Sequence, residues 1–188
     1  MTTFLNADTI VGGAVVTADA SGSLGLQSAG TTAITLTSGD TTIAQKLTAV
    51  GTSSIAGMKI ADVLETVTIS ATAATGTINY DVTTQAVLYY TTNASANWTV
   101  NFRGSSGTSL NTLMATGESL TVAFLVTQGA TAYYNNVVQV DGSAVTPKYQ
   151  GGTAWSAGNA SSIDVYSYVI FKTGSAAFTI FASQTKFA

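Results

Sequence analysis

Charge is scarce in this chain. Asp, Glu, Lys and Arg make up 8% of its 188 residues, histidine and cysteine are absent, and there is one proline. Each absence removes a class of chemistry. Without cysteine there is no disulfide framework, no thiolate zinc site and no thiol nucleophile. Without histidine, no imidazole can activate the plentiful Ser and Thr hydroxyls, and a Ser–Lys dyad finds no supporting sequence context. A carboxylate pair for glycoside hydrolysis would have to come from Glu65, Glu118 and dispersed Asp residues. No DxDxDG-type cluster supplies the oxygens that calcium requires. The expectation is therefore no catalytic residue, no metal site and no cofactor. The basic residues Lys46, Lys59, Arg103, Lys148, Lys172 and Lys186 are scattered and the net charge is −3. Without a basic patch to neutralise phosphates, nucleic acid is not an expected partner.

Long apolar runs are missing as well. Mean hydropathy is +0.34 and 46% of residues are hydrophobic, yet nothing approaches the roughly 18 uninterrupted apolar residues of a membrane helix. The start, Met1-Thr2-Thr3-Phe4, has no basic stretch followed by an apolar one, so no secretory signal is expected. Soluble domains usually carry about a quarter charged residues. A chain at a third of that level is expected to have its surface largely covered by neighbouring subunits. The plainer alternative is a Thr/Ser-coated β protein.

What is present is Thr, Ser, Ala and Gly in polar–apolar alternation. Residues 1–55 hold short apolar pairs, Leu24/Leu26 and Ile34/Leu36, then Ile43, about ten residues apart, with turns such as Ser38-Gly39-Asp40 between them. This weak repeat suits a β-solenoid or fibre-like stack, or an alternating arm. Residues 56–65 are the best helical segment, with Met58, Ile60, Ala61 and Leu64 on one face. From residue 65 the alternation is clean: Val67/Ile69, Ile78/Tyr80/Val82, Ala86–Thr91, Trp98/Val100/Phe102, Leu120/Val122/Phe124/Val126, Tyr133–Val140, Ile163–Lys172 and Ala177–Ser183. Period two means one buried and one solvated face, which favours antiparallel sheets. Gly104–Gly107, Asp141-Gly142, Gly151-Gly152 and Thr173-Gly174 supply turns, and Pro147 ends its strand or confines it to an edge. The predicted fold is all-β: an antiparallel, jelly-roll-like β-sandwich over residues 56–188. It is preceded by an extended Gly/Ser/Thr-rich β arm over residues 1–55.

The aromatic residues are the remaining candidates for contact. Trp98 lies on the apolar face of its strand and is expected in the core. Tyr89-Tyr90 and Tyr133-Tyr134 each place one ring inside and one outside. Tyr166 and Tyr168 share a face with Ile170, opposite Ile163, Val165 and Val169. That face is expected to be a subunit contact, with ordinary surface or glycan binding as alternatives. Trp155, in a Gly-rich loop, is the best candidate for an exposed anchor; otherwise it folds over the end of the sandwich. The Asn-x-Ser/Thr triplets at Asn93, Asn97 and Asn159 are what a Ser/Thr-rich chain produces by chance.

Three phrases carry a resemblance: TINYDVTTQAVLYYTTNASANWTVNFRG, SLTVAFLVTQGATAYYNNVVQVDG and VYSYVIFKTGSAAFTIFASQTKF, following the stretch SGSLGLQSAGTTAITLTSGDTTIAQK. In texture the chain resembles accessory virion proteins of tailed bacteriophages, those of marine cyanobacterial phages above all. The resemblance implies a non-enzymatic structural role in the virion, foremost as a capsid decoration or cement subunit. The alternative is a fibre or appendage protein whose β-sandwich binds a receptor or a host-surface glycan. It implies self-association, commonly as homotrimers, and the major capsid protein as partner. An amino-terminal arm would anchor the subunit through Phe4, Leu5, Leu24, Leu26, Ile34 and Leu36. An enzyme such as a polysaccharide depolymerase is the third reading, and requires two converging carboxylates.

Overall fold

In a computed structural model of the chain, residues 63–188 are described. The anchoring arm of residues 1–55, with Phe4, Leu5, Leu24, Leu26, Ile34 and Leu36, lies outside them, and so does most of the expected helix at 56–65. The last part of that helix is corrected: residues 63–66 form no helix and lead directly into the first strand.

All eight strands read from the alternation are present. They are β1 (Val67–Ala73), β2 (Gly76–Asp81), β3 (Val87–Thr92), β4 (Trp98–Arg103), β5 (Ser119–Thr127), β6 (Asn135–Val140), β9 (Ile163–Gly174) and β10 (Ala177–Phe187). Two strands of two residues each, β7 (Ser143–Ala144) and β8 (Lys148–Tyr149), and a one-turn helix α1 (Leu110–Leu113) complete the set. Pro147 is buried between β7 and β8, consistent with its inability to donate to a ladder.

The strands form two sheets, one ordered β1-β3-β5-β9-β10-β8 and the other β2-β4-β6-β7. Successive strands from β1 to β6 alternate between the sheets. Each connection therefore crosses the core instead of closing a hairpin. Two crossings restore the original direction, so β1 pairs parallel with β3, β3 with β5, β2 with β4, and β4 with β6. The expectation of antiparallel pairing throughout is corrected for these six strands. Among the described strands only β5–β9, β9–β10 and β6–β7 run antiparallel, and the short β8 joins β10 in parallel.

Parallel stacking places like residues side by side. Ile78 aligns with Val100, Asn79 with Asn101, Tyr80 with Phe102 and Asp81 with Arg103. Asn101 Nδ2 donates to Asn79 Oδ1 at 2.8 Å, and Arg103 Nε donates to Asp81 Oδ1 at 2.5 Å. The Asp81–Arg103 pair is partly exposed and adds little stability by itself.

The core lies where the inner faces of the sheets meet. Trp98, Val100 and Phe102 of β4 face Phe124 and Val126 of β5 and Tyr166, Tyr168 and Ile170 of β9, all fully buried or nearly so. Rings from opposite sheets touch edge to face: Trp98 with Tyr166 at 5.5 Å, Phe102 with Tyr168 at 4.9 Å, and Trp98 with Phe124 at 6.0 Å. Such geometry matches ring edges to ring faces and adds to the burial itself.

The Asp141-Gly142 turn expected from sequence joins β6 to β7. Asp141 and Gly142 have φ of 51° and 81°, as a two-residue hairpin of this kind demands. The Asp141 carboxylate also accepts from Leu110 N at 2.7 Å and Asn111 N at 2.9 Å, satisfying the free amides at the start of α1. At the other end of α1, the buried Lys172 Nζ donates to Asn111 O at 2.6 Å and Met114 O at 2.8 Å. Replacing Lys172 with Met keeps the apolar stem and leaves two carbonyls without their donor. Lys172→Met is predicted to lower stability by about 1–3 kcal/mol, read as a lower urea midpoint with an unchanged denaturant slope.

Candidate interaction surface

The outward face of the six-stranded sheet is the most unusual surface among the described residues. Strand register builds it row by row. Ile69, Tyr89, Leu125 and Val165 form one row across β1, β3, β5 and β9. Val67, Val87 and Ala123 precede them and run on into Ser167. Val169 pairs with Phe181, and Ile163 with Phe187. Phe171 meets Phe181 edge to face at 5.7 Å. Exposure is high for such side chains: Ile69 68%, Phe187 56%, Val67 49%, Phe181 47% and Phe171 38%. No outward residue of β1, β3, β5, β9 or β10 is charged. Lys148, opposite Phe181 on β8, stands at the margin.

This reverses the sequence reading of β9. Tyr166, Tyr168 and Ile170, expected as a subunit contact, are completely buried; Ile163, Val165 and Val169 face outward. Alternation separates the two faces of a strand without saying which is inside. The tyrosines are inside because their rings fill the space between the sheets and their hydroxyls find partners there. Tyr168 OH donates to Asn135 Oδ1 at 2.9 Å, and Gln184 Nε2 donates to the Tyr166 hydroxyl at 3.0 Å. Burial pushes both phenols well above their ordinary pKa, so they stay neutral. Val67 and Ile69, read as a buried pair, are likewise on the outside. The signal for this face was available in β9, where both faces are apolar.

Trp155 is not an exposed anchor. It is half-buried and folds over the core, against Tyr149 at 4.8 Å, Tyr166 at 5.2 Å and Tyr168 at 6.3 Å. Its Nε1 donates to Asn135 O at 2.5 Å. Asn135 itself is buried, and its Nδ2 donates to Trp98 O at 2.9 Å and Val137 O at 2.8 Å. The Asn135 side chain thus joins β4, β6 and β9, and its backbone carbonyl holds the Trp155 loop. Beside the loop lies a small polar cleft of about 210 Å³, lined by Tyr149, Gln150, Thr153, Trp155, Ser183 and Gln184.

Among the described residues, the acidic side chains other than Glu65 are engaged in structure. Asp81 pairs with Arg103, Asp141 caps α1, and Glu118 Oε2 accepts from Ala115 N at 2.8 Å. Asp164 is fully buried; its Oδ2 accepts from Gln128 Nε2 and Asn159 N, both at 3.0 Å. Its Oδ1 has no hydrogen-bond partner among the described residues. Burial raises the Asp164 pKa, outweighing the bonds that favour the carboxylate. Gly158 packs directly on this group: a Cβ there would collide with Tyr133 O and stand 2.6 Å from Asp164 Oδ2. No cluster of three acidic side chains that could hold a metal ion occurs among the described residues.

The chain matches no protein-family profile, no curated protein and no solved structure.

Two outcomes follow from the buried polar groups. Asn135→Ala leaves Tyr168 OH and Trp98 O without partners, and is predicted to cost at least about 1–3 kcal/mol in chemical denaturation. Asp164 has a folded pKa above its unfolded value, so its ionisation opposes folding. That penalty is full above the folded pKa and is relieved as pH falls through it. Asp164→Asn should therefore flatten the stability–pH curve between neutrality and the ordinary carboxyl range. An unchanged curve would show that the wild-type slope comes from other groups.

Proposed function

We propose that this chain is a non-enzymatic structural subunit of a tailed-bacteriophage particle, foremost a capsid decoration or cement protein. The observation that carries this reading is the broad, uncharged apolar face on the six-stranded sheet, a surface suited to lasting contact with protein. Two further features support it. Among the described residues, the carboxylates of Asp81, Glu118, Asp141 and Asp164 are occupied in pairing, capping or burial. The phenols of Tyr166 and Tyr168 are held neutral in the core. In this reading residues 56–188 form the β-sandwich body, residues 1–55 attach it to the shell, and the partners are sister subunits and the major capsid protein.

A fibre or appendage protein binding a host-surface glycan is the second reading. The cleft beside Trp155 favours it, with its aromatic walls and the amides of Gln150 and Gln184. Glycan-array binding abolished by Gln150→Ala, in a variant that melts like wild type, would select it.

Mass spectrometry of phage particles purified from cells carrying the gene tests the leading reading. The chain is expected as a stoichiometric component, and deletion of residues 1–50 is expected to release it from the particle. Its absence from particles, or turnover of a polysaccharide by the purified protein, would overturn the assignment.

A further inference from the structure

We infer that the outward face of the six-stranded sheet packs against the same face of a second copy of this chain. The inference rests on reading that face as a contact surface, and is independent of the particle to which the chain belongs.

Size is the first argument. Five strands at about 4.8 Å spacing, over the nine residues of β5 at about 3.4 Å each, give roughly 700 Å² per copy. A specific protein interface takes about 800 Å² from each partner. The face is thus large enough to hold two copies together without help from other elements.

Charge is the second argument. In a two-fold interface one patch faces itself, and residues close to the axis lie near their own counterparts. A charged residue there meets a like charge, which is unfavourable at close range. This face carries none, and its polar positions, such as Ser167 and Ser183, are neutral groups that can pair with their own copies. A differently charged partner would instead lose hydration of its ions against a surface that offers no counter-charge.

Shape is the third. Two copies of one sheet carry the same twist, which lets their faces stack at the usual aligned angle of about 30° with interdigitating side chains. Exposed Ile69 near one edge and Phe181 near the other are then both covered.

The test uses the full-length chain at micromolar concentration in sedimentation velocity, with circular dichroism to confirm folding. Wild type is expected to sediment as a dimer or a multiple of one. Ile69→Lys and Phe181→Lys, made separately so that either can stand if the other misfolds, are expected to weaken association by roughly ten-fold or more. Leu113→Lys, at an exposed apolar position on α1, is expected to associate as wild type. A wild-type monomer overturns the inference, whether another protein or another part of the chain covers the face, and so does a closed trimer, which cannot pair this face with itself two-fold. Folded Ile69→Lys and Phe181→Lys variants that associate like wild type overturn it too. Neither result bears on whether the chain is found in particles, so the two readings fail separately.

Discussion

The two sheets are held together by a seam of rings. Trp98 and Phe102 from one sheet meet Tyr166 and Tyr168 from the other; the Asn135 side chain accepts from the Tyr168 hydroxyl and donates to the Trp98 backbone carbonyl, while the buried Trp98 Nε1 has no hydrogen-bond partner among the described residues. Each large side chain buried in this way contributes roughly 1.5–3 kcal/mol from desolvation alone. The hydrogen bonds add less to net stability than to uniqueness, because a buried hydroxyl or carbonyl without a partner is costly. This seam explains why Trp155 turns inward. Its indole closes the side of the ring cluster and donates to the backbone of the same asparagine.

The strands were legible from sequence and their pairing was not. Period two fixes that Ile78, Tyr80, Trp98, Val100 and Phe102 share inner faces. It does not say whether a chain leaving one strand turns back within its sheet or crosses to the other. Here it crosses five times in succession, and parallel ladders follow. One sequence feature does encode the pairing. Thr77-Ile78-Asn79-Tyr80-Asp81 and Thr99-Val100-Asn101-Phe102-Arg103 are near-copies 22 residues apart, and they align residue for residue in the structure. In-register parallel strands reward such repetition, since an asparagine beside an asparagine bonds side chain to side chain.

The candidate surface shows the complementary failure. A strand with two apolar faces, such as β9, offers no internal clue to which one is buried. Aliphatic residues looked like core and tyrosines like surface, by average tendency. Volume decides otherwise: the rings span the gap between sheets, whereas Ile163, Val165 and Val169 are too short to do so. The buried Lys172 and Asp164 were also invisible in sequence, because Lys172 bonds backbone carbonyls at α1 and Asp164 bonds a backbone amide of the loop before β9 and the distant Gln128 side chain.

The uncharged face has a consequence for how contacts made through it respond to the medium. Attraction between ions fades as electrolyte is added, but no ions take part here. Salting-out anions strengthen apolar burial instead. A body joined through Ile69, Leu125, Val165 and Phe181 is therefore held as firmly in brine as in dilute buffer.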